Sequence, residues 1–186
     1  MKLFETYRQF LVALGMVERW LITVLVFNIV LQIGAQVISR YLFDSPLIWV
    51  EDVATYSFIW ATFLAASLGF KQERHVKIET FVSNLSIRRK ALVRLLVHAV
   101  IAYAVVMLMV QAWTVIELES RRMTVSLPIL LPVAWFFSVP LFTGLVSIAL
   151  SLVYFIAREL NTIIGANPLQ PIFDSGANQD KFDDGV

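Results

Sequence analysis

The sequence contains no cysteine, and only 16% of its 186 residues are charged. The absence of cysteine excludes disulfide frameworks, thiolate nucleophiles and cysteine metal sites. The low charge accompanies a hydrophobic content of 59% and a mean hydropathy of +0.75. Soluble domains contain roughly 45–50% apolar residues, so these values are typical of an integral membrane protein.

Four apolar runs are long enough to cross a bilayer, whose hydrocarbon core of about 30 Å needs roughly 20 apolar residues in a helix. They centre on residues 17–38, 53–70, 91–116 and 130–157. Together they occupy most of the chain and leave no room for a separate catalytic domain. We therefore predict an all-α integral membrane protein without enzymatic activity, with four transmembrane helices in one bundle over residues 1–164.

The segments outside these runs differ in character. Residues 1–16 place aromatic and aliphatic side chains at helical spacing, which fits either an interfacial lead-in or, as we favour, an extension of helix 1. Residues 76–85 alternate apolar and polar side chains and predict a short amphipathic interfacial segment between helices 2 and 3. Residues 165–186 are rich in Pro, Gly, Asn and Asp and predict a flexible tail. Pro140 is expected to kink helix 4.

Orientation follows from the distribution of lysine and arginine, because positive residues are retained on the cytoplasmic side. Twelve lie in the N-terminal segment, the second loop and its flanks, and the tail, whereas Arg40, Arg121 and Arg122 lie on the opposite side. We expect both termini in the cytoplasm.

Helices 1 and 2 carry candidate packing faces. Polar side chains recur every four residues on helix 1, and an amide in lipid needs a hydrogen-bonding partner. This polar ladder fits packing within the chain's own bundle, contact with another subunit, or, least of all, an ion pathway. Helix 2 has a series of small residues that permits close helix approach. The candidates for a subunit interface are Asn28, Gln32, Gln36, Ser57, Ala61, Ala65 and Gly69.

Charged residues at the loop ends of the helices suggest further contacts. Arg40 is expected near Glu51 and Asp52, where an ion pair would pin the hairpin of helices 1 and 2. Docking of a partner outside the membrane is the alternative use of these residues. Further candidates for contact with a periplasmic partner are Asp44, Glu117, Glu119, Arg121 and Arg122.

Basic residues cluster around the second loop. They suit contact with anionic lipid headgroups and retention in the cytoplasm, and no aromatic residue is interleaved in the cluster at residues 88–90 to indicate nucleic-acid binding. The predicted anchors are Lys71, Arg74, His75, Lys77, Arg88, Arg89 and Lys90. His98 is expected to be hydrogen-bonded within the bundle, because haem ligation would require a second histidine at similar depth. We predict no cofactor in this chain.

The stretch from Arg40 to Glu79 has an ordered pattern around helix 2. It contains Arg-Tyr, then Pro-Leu-x-Trp-x-Glu-Asp, then Leu-Gly, then His-Val, at Arg40, Tyr41, Pro46, Leu47, Trp49, Glu51, Asp52, Leu68, Gly69, His75 and Val76. It resembles the small membrane subunit, DctQ type, of tripartite ATP-independent periplasmic (TRAP) transporters. Pro132 and Trp135, the length and the four spans fit the same family.

The resemblance implies a multi-pass protein of the bacterial inner membrane that works as a non-catalytic scaffold. Its implied partners are a large multi-span subunit, which would hold the sodium and substrate sites, and a periplasmic solute-binding protein that delivers a carboxylate. No predicted span has a carboxylate at mid-depth, which agrees with a scaffold. The alternative function is an autonomous small four-helix secondary transporter.

Overall fold

The computed structural model describes residues 2–45, 47–73, 86–125, 130–165 and 169–173. Four helices account for most of them: α1 (Lys2–Leu42), α2 (Ile48–Lys71), α3 (Ile87–Glu119) and α4 (Ser138–Ile164). A single 3₁₀ turn, Val133–Trp135, precedes α4. Each of the four helices is long and apolar enough to span a membrane, which confirms the predicted all-α membrane fold.

The helices alternate in direction, and α2 and α4 form the centre of the bundle. Helix α1 packs chiefly on α2, and α3 packs chiefly on α4. The starts of α1 and α3 therefore lie at the same end of the bundle as the ends of α2 and α4, and we call this the terminal end. The opposite end, where α1 passes to α2 and α3 to α4, is the loop end.

Helix α1 is continuous from Lys2 to Leu42, which confirms that residues 2–16 extend helix 1 rather than forming a separate interfacial segment. At 1.5 Å per residue its 41 residues reach about 60 Å, twice the thickness of a hydrocarbon core. The N-terminal part packs on α4, where the hydroxyl of Tyr7 donates to the backbone carbonyl of Leu150 at 2.8 Å. The extension is thus part of the packed domain.

The start of α4 differs from the sequence-based expectation. Helix α4 begins at Ser138 rather than near residue 130, so Pro140 lies in its first turn. A first-turn proline loses no helical hydrogen bond, because the first N–H groups of a helix have no partner within it. The predicted kink at Pro140 is therefore wrong. An isolated antiparallel bridge between Met123 and Pro132 orders part of the preceding connection.

Part of the predicted flexible tail is docked on the bundle. Gly165 ends α4 with a φ of 81°, a left-handed conformation that glycine adopts without steric cost. Residues 169–173 then return to the core, where Ile172 is 1% exposed and the hydroxyl of Tyr154 donates to the carbonyl of Gln170 at 2.7 Å. The ring of Phe173 lies against Gly15, at 2.6 Å from the position a Cβ would take there.

This docked segment corrects the expectation that the whole of 165–186 is a flexible tail. Two predictions fall outside the described residues. They are the amphipathic segment around 76–85 and the behaviour of the chain after residue 173.

Candidate functional site

A buried ion pair joins three helices inside the bundle. Lys71 of α2 donates to the two carboxylate oxygens of Glu18 in α1 at 2.8 and 2.7 Å, and to Ser147 Oγ of α4 at 2.5 Å. The hydroxyls of Ser67 and Ser147 donate to Glu18 Oε1 at 2.8 and 2.5 Å. The side chains of Lys71 and Glu18 are 0% and 4% exposed. We call these four residues the inner cluster.

The topology explains why these residues meet. Glu18 and Lys71 lie at nearly equal distances, about six to seven helical turns, from the connection between α1 and α2. Two antiparallel helices joined by a short connection bring such positions to the same level. Hydropathy averaging hid this signal, because Glu18 is one acid in a strongly apolar run and Lys71 stands where an apolar run ends.

The position of Lys71 corrects one prediction. We expected Lys71 to be an anchor facing lipid headgroups, but its ammonium is sealed among Glu18 and Ser147. The carboxylate of Glu18 was not predicted as a functional group at all. It lies at the terminal-end edge of the predicted span 17–38, so the expectation that no span carries a carboxylate at mid-depth is not contradicted.

A second ionic group, the end cluster, lies nearer the terminal end and consists of Glu73, Arg94, Arg158 and Glu159. Arg158 binds Glu73 with two nitrogens at 2.5 and 3.0 Å and Glu159 at 3.4 Å. Arg94 of α3 lies 3.9 Å from Glu159. The group thus connects the end of α2 with α3 and α4. Glu73 is partly solvated, with 37% of its side chain exposed.

His98 lies beside the end cluster and is 3% exposed. Its ring stacks on Phe155 at a centroid distance of 5.3 Å, and the guanidinium of Arg158 lies over the same phenylalanine at 5.2 Å. Its Nδ1 has no hydrogen-bond partner among the described residues. The imidazole packs inside the bundle as predicted and has a backbone hydrogen bond with Arg94, although Nδ1 itself lacks a partner.

The polar ladder of α1 bonds mainly to α2. Asn28 donates to Ser57 Oγ at 2.8 Å, and Gln32 approaches Asn28 Oδ1 at 3.5 Å. Gln36 donates to Glu51 at 3.3 Å and accepts from the backbone N–H of Leu47 at 3.2 Å. The ladder therefore serves packing within the chain, and its use as an interface for another subunit stays a prediction.

The predicted ion pair of Arg40 is replaced by a different contact. In the described part of the hairpin, residues 2–45 and 47–73, no ion pair joins Arg40 to Glu51 or Asp52, and Arg40 is exposed. Glu51 accepts the amide of Gln36 instead. Gln36 precedes Arg40 by four residues on the same face of α1 and so lies about one turn deeper in the bundle. At that level its neutral amide donates the hydrogen bond that Glu51 accepts.

The small residues of α2 have divided roles. Ala61 is buried, Gly69 is half-buried and Ala65 is exposed, so Ala65 is the member of the set left most open to lipid or a partner. A close helix approach lies elsewhere, at Gly144 of α4. A Cβ on Gly144 would lie 3.0 Å from the backbone oxygen of Phe63, so α2 and α4 cross there nearly in backbone contact.

The candidates at the loop end are partly used within the chain. Glu119 accepts a hydrogen bond from Ser138 at the start of α4, and Glu117 accepts from Trp113 Nε1 at 3.0 Å. Asp44, Arg121 and Arg122 are exposed. Contact of these residues with a periplasmic partner stays a prediction.

Three of the remaining basic anchors, Arg88, Arg89 and Lys90, lie at the terminal end. Arg88 and Arg89 are exposed and Lys90 is half-buried, which is compatible with the predicted headgroup contact. Arg74, His75 and Lys77 lie outside the described residues. Within 2–45, 47–73, 86–125, 130–165 and 169–173, no group of three or more His, Asp or Glu residues could hold a metal ion.

Comparisons with known proteins place this geometry in context. A family profile described as tripartite ATP-independent periplasmic transporters, DctQ component, matches residues 29–162, which is more than half of the chain. The chain is 37% identical over 71 residues to the sialic acid TRAP transporter permease protein SiaT of Haemophilus influenzae, covering 37% of this chain and 11% of that protein.

A second relative is also named as a permease protein of a TRAP transporter. The chain is 26% identical over 97 residues to the C4-dicarboxylate TRAP transporter small permease protein DctQ of Vibrio cholerae, covering 52% of this chain and 42% of that protein. The chain thus spans less than half the length of each of these two relatives.

Proposed function

The chain belongs to the DctQ component family of tripartite ATP-independent periplasmic transporters, and we propose that it is the small, non-catalytic scaffold subunit of a sodium-coupled transporter of this class. Its partners would be a large multi-span membrane subunit, which carries the sodium and solute sites, and a periplasmic solute-binding protein. The transported solute would be a carboxylate, because the names of the two relatives refer to sialic acid and C4-dicarboxylates.

One observation carries the scaffold role. Buried charged side chains in the described residues are paired, and two pairs join different helices: Lys71 of α2 binds Glu18 of α1, and Arg158 of α4 binds Glu73, which follows α2. A charge held in this way links helices and is not available to a moving substrate ion. Such a subunit suits a stationary support on which another subunit moves.

The orientation of the subunit is part of the proposal. We place the terminal end in the cytoplasm because lysine and arginine concentrate there. Because Lys71 is buried, it no longer counts among the exposed positive charges of the terminal end. The terminal end still carries more lysine and arginine than the loop end. The loop end, with Asp44, Arg121 and Arg122 exposed, would then face the periplasmic binding protein.

Deletion and complementation test this function. We expect deletion of the gene to abolish sodium-driven uptake of the system's solute, assayed with labelled sialic acid and a C4-dicarboxylate, and the full chain in trans to restore it. An affinity-tagged chain should also co-purify with a large multi-span protein. Unchanged uptake in the deletion strain would contradict the proposal.

The alternative, an autonomous small transporter, draws support from Glu18, since proton-coupled exchange uses a carboxylate embedded in the membrane. Its ion pair with Lys71 argues against that use, because a paired and fully bonded acid is not free to exchange protons and substrate. Proteoliposomes containing only this chain decide the matter, and we expect no uptake above that of empty liposomes.

A further inference from the structure

The inner cluster has the composition of a small cation site. Glu18 supplies both carboxylate oxygens and Ser147 a hydroxyl oxygen, all within 2.8 Å of one point, the nitrogen of Lys71. Ser67 donates to the same carboxylate without touching the ammonium. Carboxylate and hydroxyl oxygens are ligands that hard cations prefer, and a carboxylate in a dry interior requires a paired positive charge.

The hydrogen bonds of the cluster are complete. An ammonium group has three donors, and its contacts at 2.8, 2.7 and 2.5 Å provide three acceptors. The hydroxyl of Ser147 accepts from Lys71 and donates to Glu18, which uses its single donor and one of its two acceptor lone pairs. Glu18 acts as an acceptor in each of these contacts, as an ionised carboxylate does.

We infer that Lys71 is a tethered cation: its ammonium fills a monovalent-cation site formed by Glu18 and Ser147, with Ser67 bonded to the carboxylate, and it thereby fixes α1, α2 and α4 to one another without a free ion. The inference deepens the proposed scaffold function, since it explains how the support would keep one helix arrangement at any sodium concentration. Only the biological purpose of the site rests on the proposed scaffold function. The site itself can be tested on the purified chain alone.

The end cluster is the relevant contrast within the protein. Its guanidinium binds Glu73, which is 37% exposed, so water shares in solvating that pair. Lys71 and Glu18 are 0% and 4% exposed, so only protein atoms solvate them. Removal of the Lys71 side chain would therefore leave a space lined by protein, with the negative charge of Glu18 uncompensated. A small organic cation of the same size as the lost atoms can occupy that space.

The experiment restores the missing cation as a free molecule. In Lys71→Ala, the deleted atoms correspond to propylammonium, so this ion is the probe. We expect the thermal unfolding midpoint of the purified full-length variant, followed by tryptophan fluorescence in detergent, to rise saturably with propylammonium chloride. Choline chloride at equal concentration is the control for ionic strength, because choline has no N–H donor and is too large for the space.

Two control proteins make the result specific. The wild-type chain should not respond to propylammonium, because Lys71 already fills the site, and the double variant Glu18→Gln/Lys71→Ala should not respond because the charge is gone. A folded Lys71→Ala variant without a propylammonium-dependent rise would overturn the inference. An equal rise in the Glu18→Gln/Lys71→Ala protein would also overturn it.

A second set of variants decides the question if Lys71→Ala does not fold. Lys71→Met keeps the volume of the side chain, and we expect it alone to lower the unfolding midpoint by about 10 °C or more, since it leaves Glu18 unpaired. Glu18→Gln/Lys71→Met should recover most of that loss, because no charge remains to be compensated. A double variant as unstable as Lys71→Met would overturn the tethered-cation role. A failed uptake test in the deletion strain would leave these outcomes unaffected.

Discussion

The terminal half and the loop half of the bundle are held together by different chemistry. At the terminal end the contacts between helices include ion pairs, with Lys71 bound to Glu18 and Arg158 bound to Glu73. At the loop end they are neutral or singly charged hydrogen bonds and aromatic stacking, such as Asn28 to Ser57 and Tyr56 on Phe136, whose ring centroids are 4.1 Å apart.

The two kinds of contact differ in the free energy that is lost when one partner is removed. An unpaired charge in a dry interior is far more costly than an unpaired amide, because the charge loses more hydration. The terminal half should therefore tolerate little separation of its helices, whereas the loop half should lose its contacts one at a time at small cost. Three substitutions test this comparison.

The largest effect is expected at Arg158. Arg158→Met leaves Glu159, which is 3% exposed, with only Arg94 at 3.9 Å as a partner. Removing one member of a buried pair costs about 3–5 kcal/mol, and water around Glu73 should bring the loss towards the lower value. Thermal unfolding of the purified chain in detergent, followed by near-UV circular dichroism, measures it.

The control for Arg158 is Arg8→Met at the start of α1. The half-buried Arg8 pairs with the exposed Glu5 at 2.7 Å, and a pair in contact with solvent contributes at most about 1 kcal/mol, so the midpoint should change much less than in Arg158→Met. If Arg8→Met and Arg158→Met were equally destabilised, the ionic contacts of the terminal half would have no special weight.

An intermediate effect is expected at Gly144, which lies between the two halves. In Gly144→Ala the new Cβ would lie 3.0 Å from the backbone oxygen and 3.2 Å from Cβ of Phe63, so α2 and α4 must separate slightly. Overpacking of this kind costs about 1–3 kcal/mol, partly offset by roughly 0.5–1 kcal/mol from replacing a helical glycine. The same unfolding measurement applies.

Gly34→Ala is the matched control for Gly144. Gly34 is also a helical glycine, and nothing lies within 4 Å of its Cβ position, so alanine there should stabilise the chain by up to about 1 kcal/mol. If the Gly144→Ala protein were as stable to unfolding as the Gly34→Ala protein, the close crossing of α2 and α4 would not hold the two halves together.

The smallest effect is expected at Asn28 in the loop half. Asn28→Ala removes the 2.8 Å bond to Ser57, whose hydroxyl still donates to the carbonyl of Val53 at 2.8 Å. Hydrogen bonds between membrane helices contribute about 0.6 kcal/mol on average. Thr23→Ala, which removes a bond only within α1, is the control. A loss as large as that of Arg158→Met would reverse the comparison.

Hydropathy predicted the four helices, because each span needs a long apolar run and the sequence has four. Its averaging also explains what was missed. Glu18 is one acid in an apolar run, so it barely lowers a window average, and Lys71 at the end of a run has the position of an ordinary cytoplasmic anchor. The register between α1 and α2 pairs them, and that register emerges only when the helix bounds are known.

The candidate contacts were predicted less completely than the fold. The polar ladder of Asn28, Gln32 and Gln36 was recognised from its spacing, and packing within the bundle was among the interpretations. Glu51 pairs with Gln36 and not with Arg40 because Gln36 lies at the same level along the packed helices α1 and α2. That level is known only once the two helices are packed. Composition likewise describes residues 165–186 as an average and cannot distinguish Ile172, which is buried against the bundle.

The docking of residues 169–173 has a consequence for the path of the whole chain. Phe173 contacts Gly15, so the polypeptide from residue 15 to residue 173 leaves one place on the bundle, crosses it four times and returns to that place. The membrane domain is therefore a nearly closed circuit. The contact of Phe173 with Gly15 ties the segment after the last crossing to the helix that makes the first crossing.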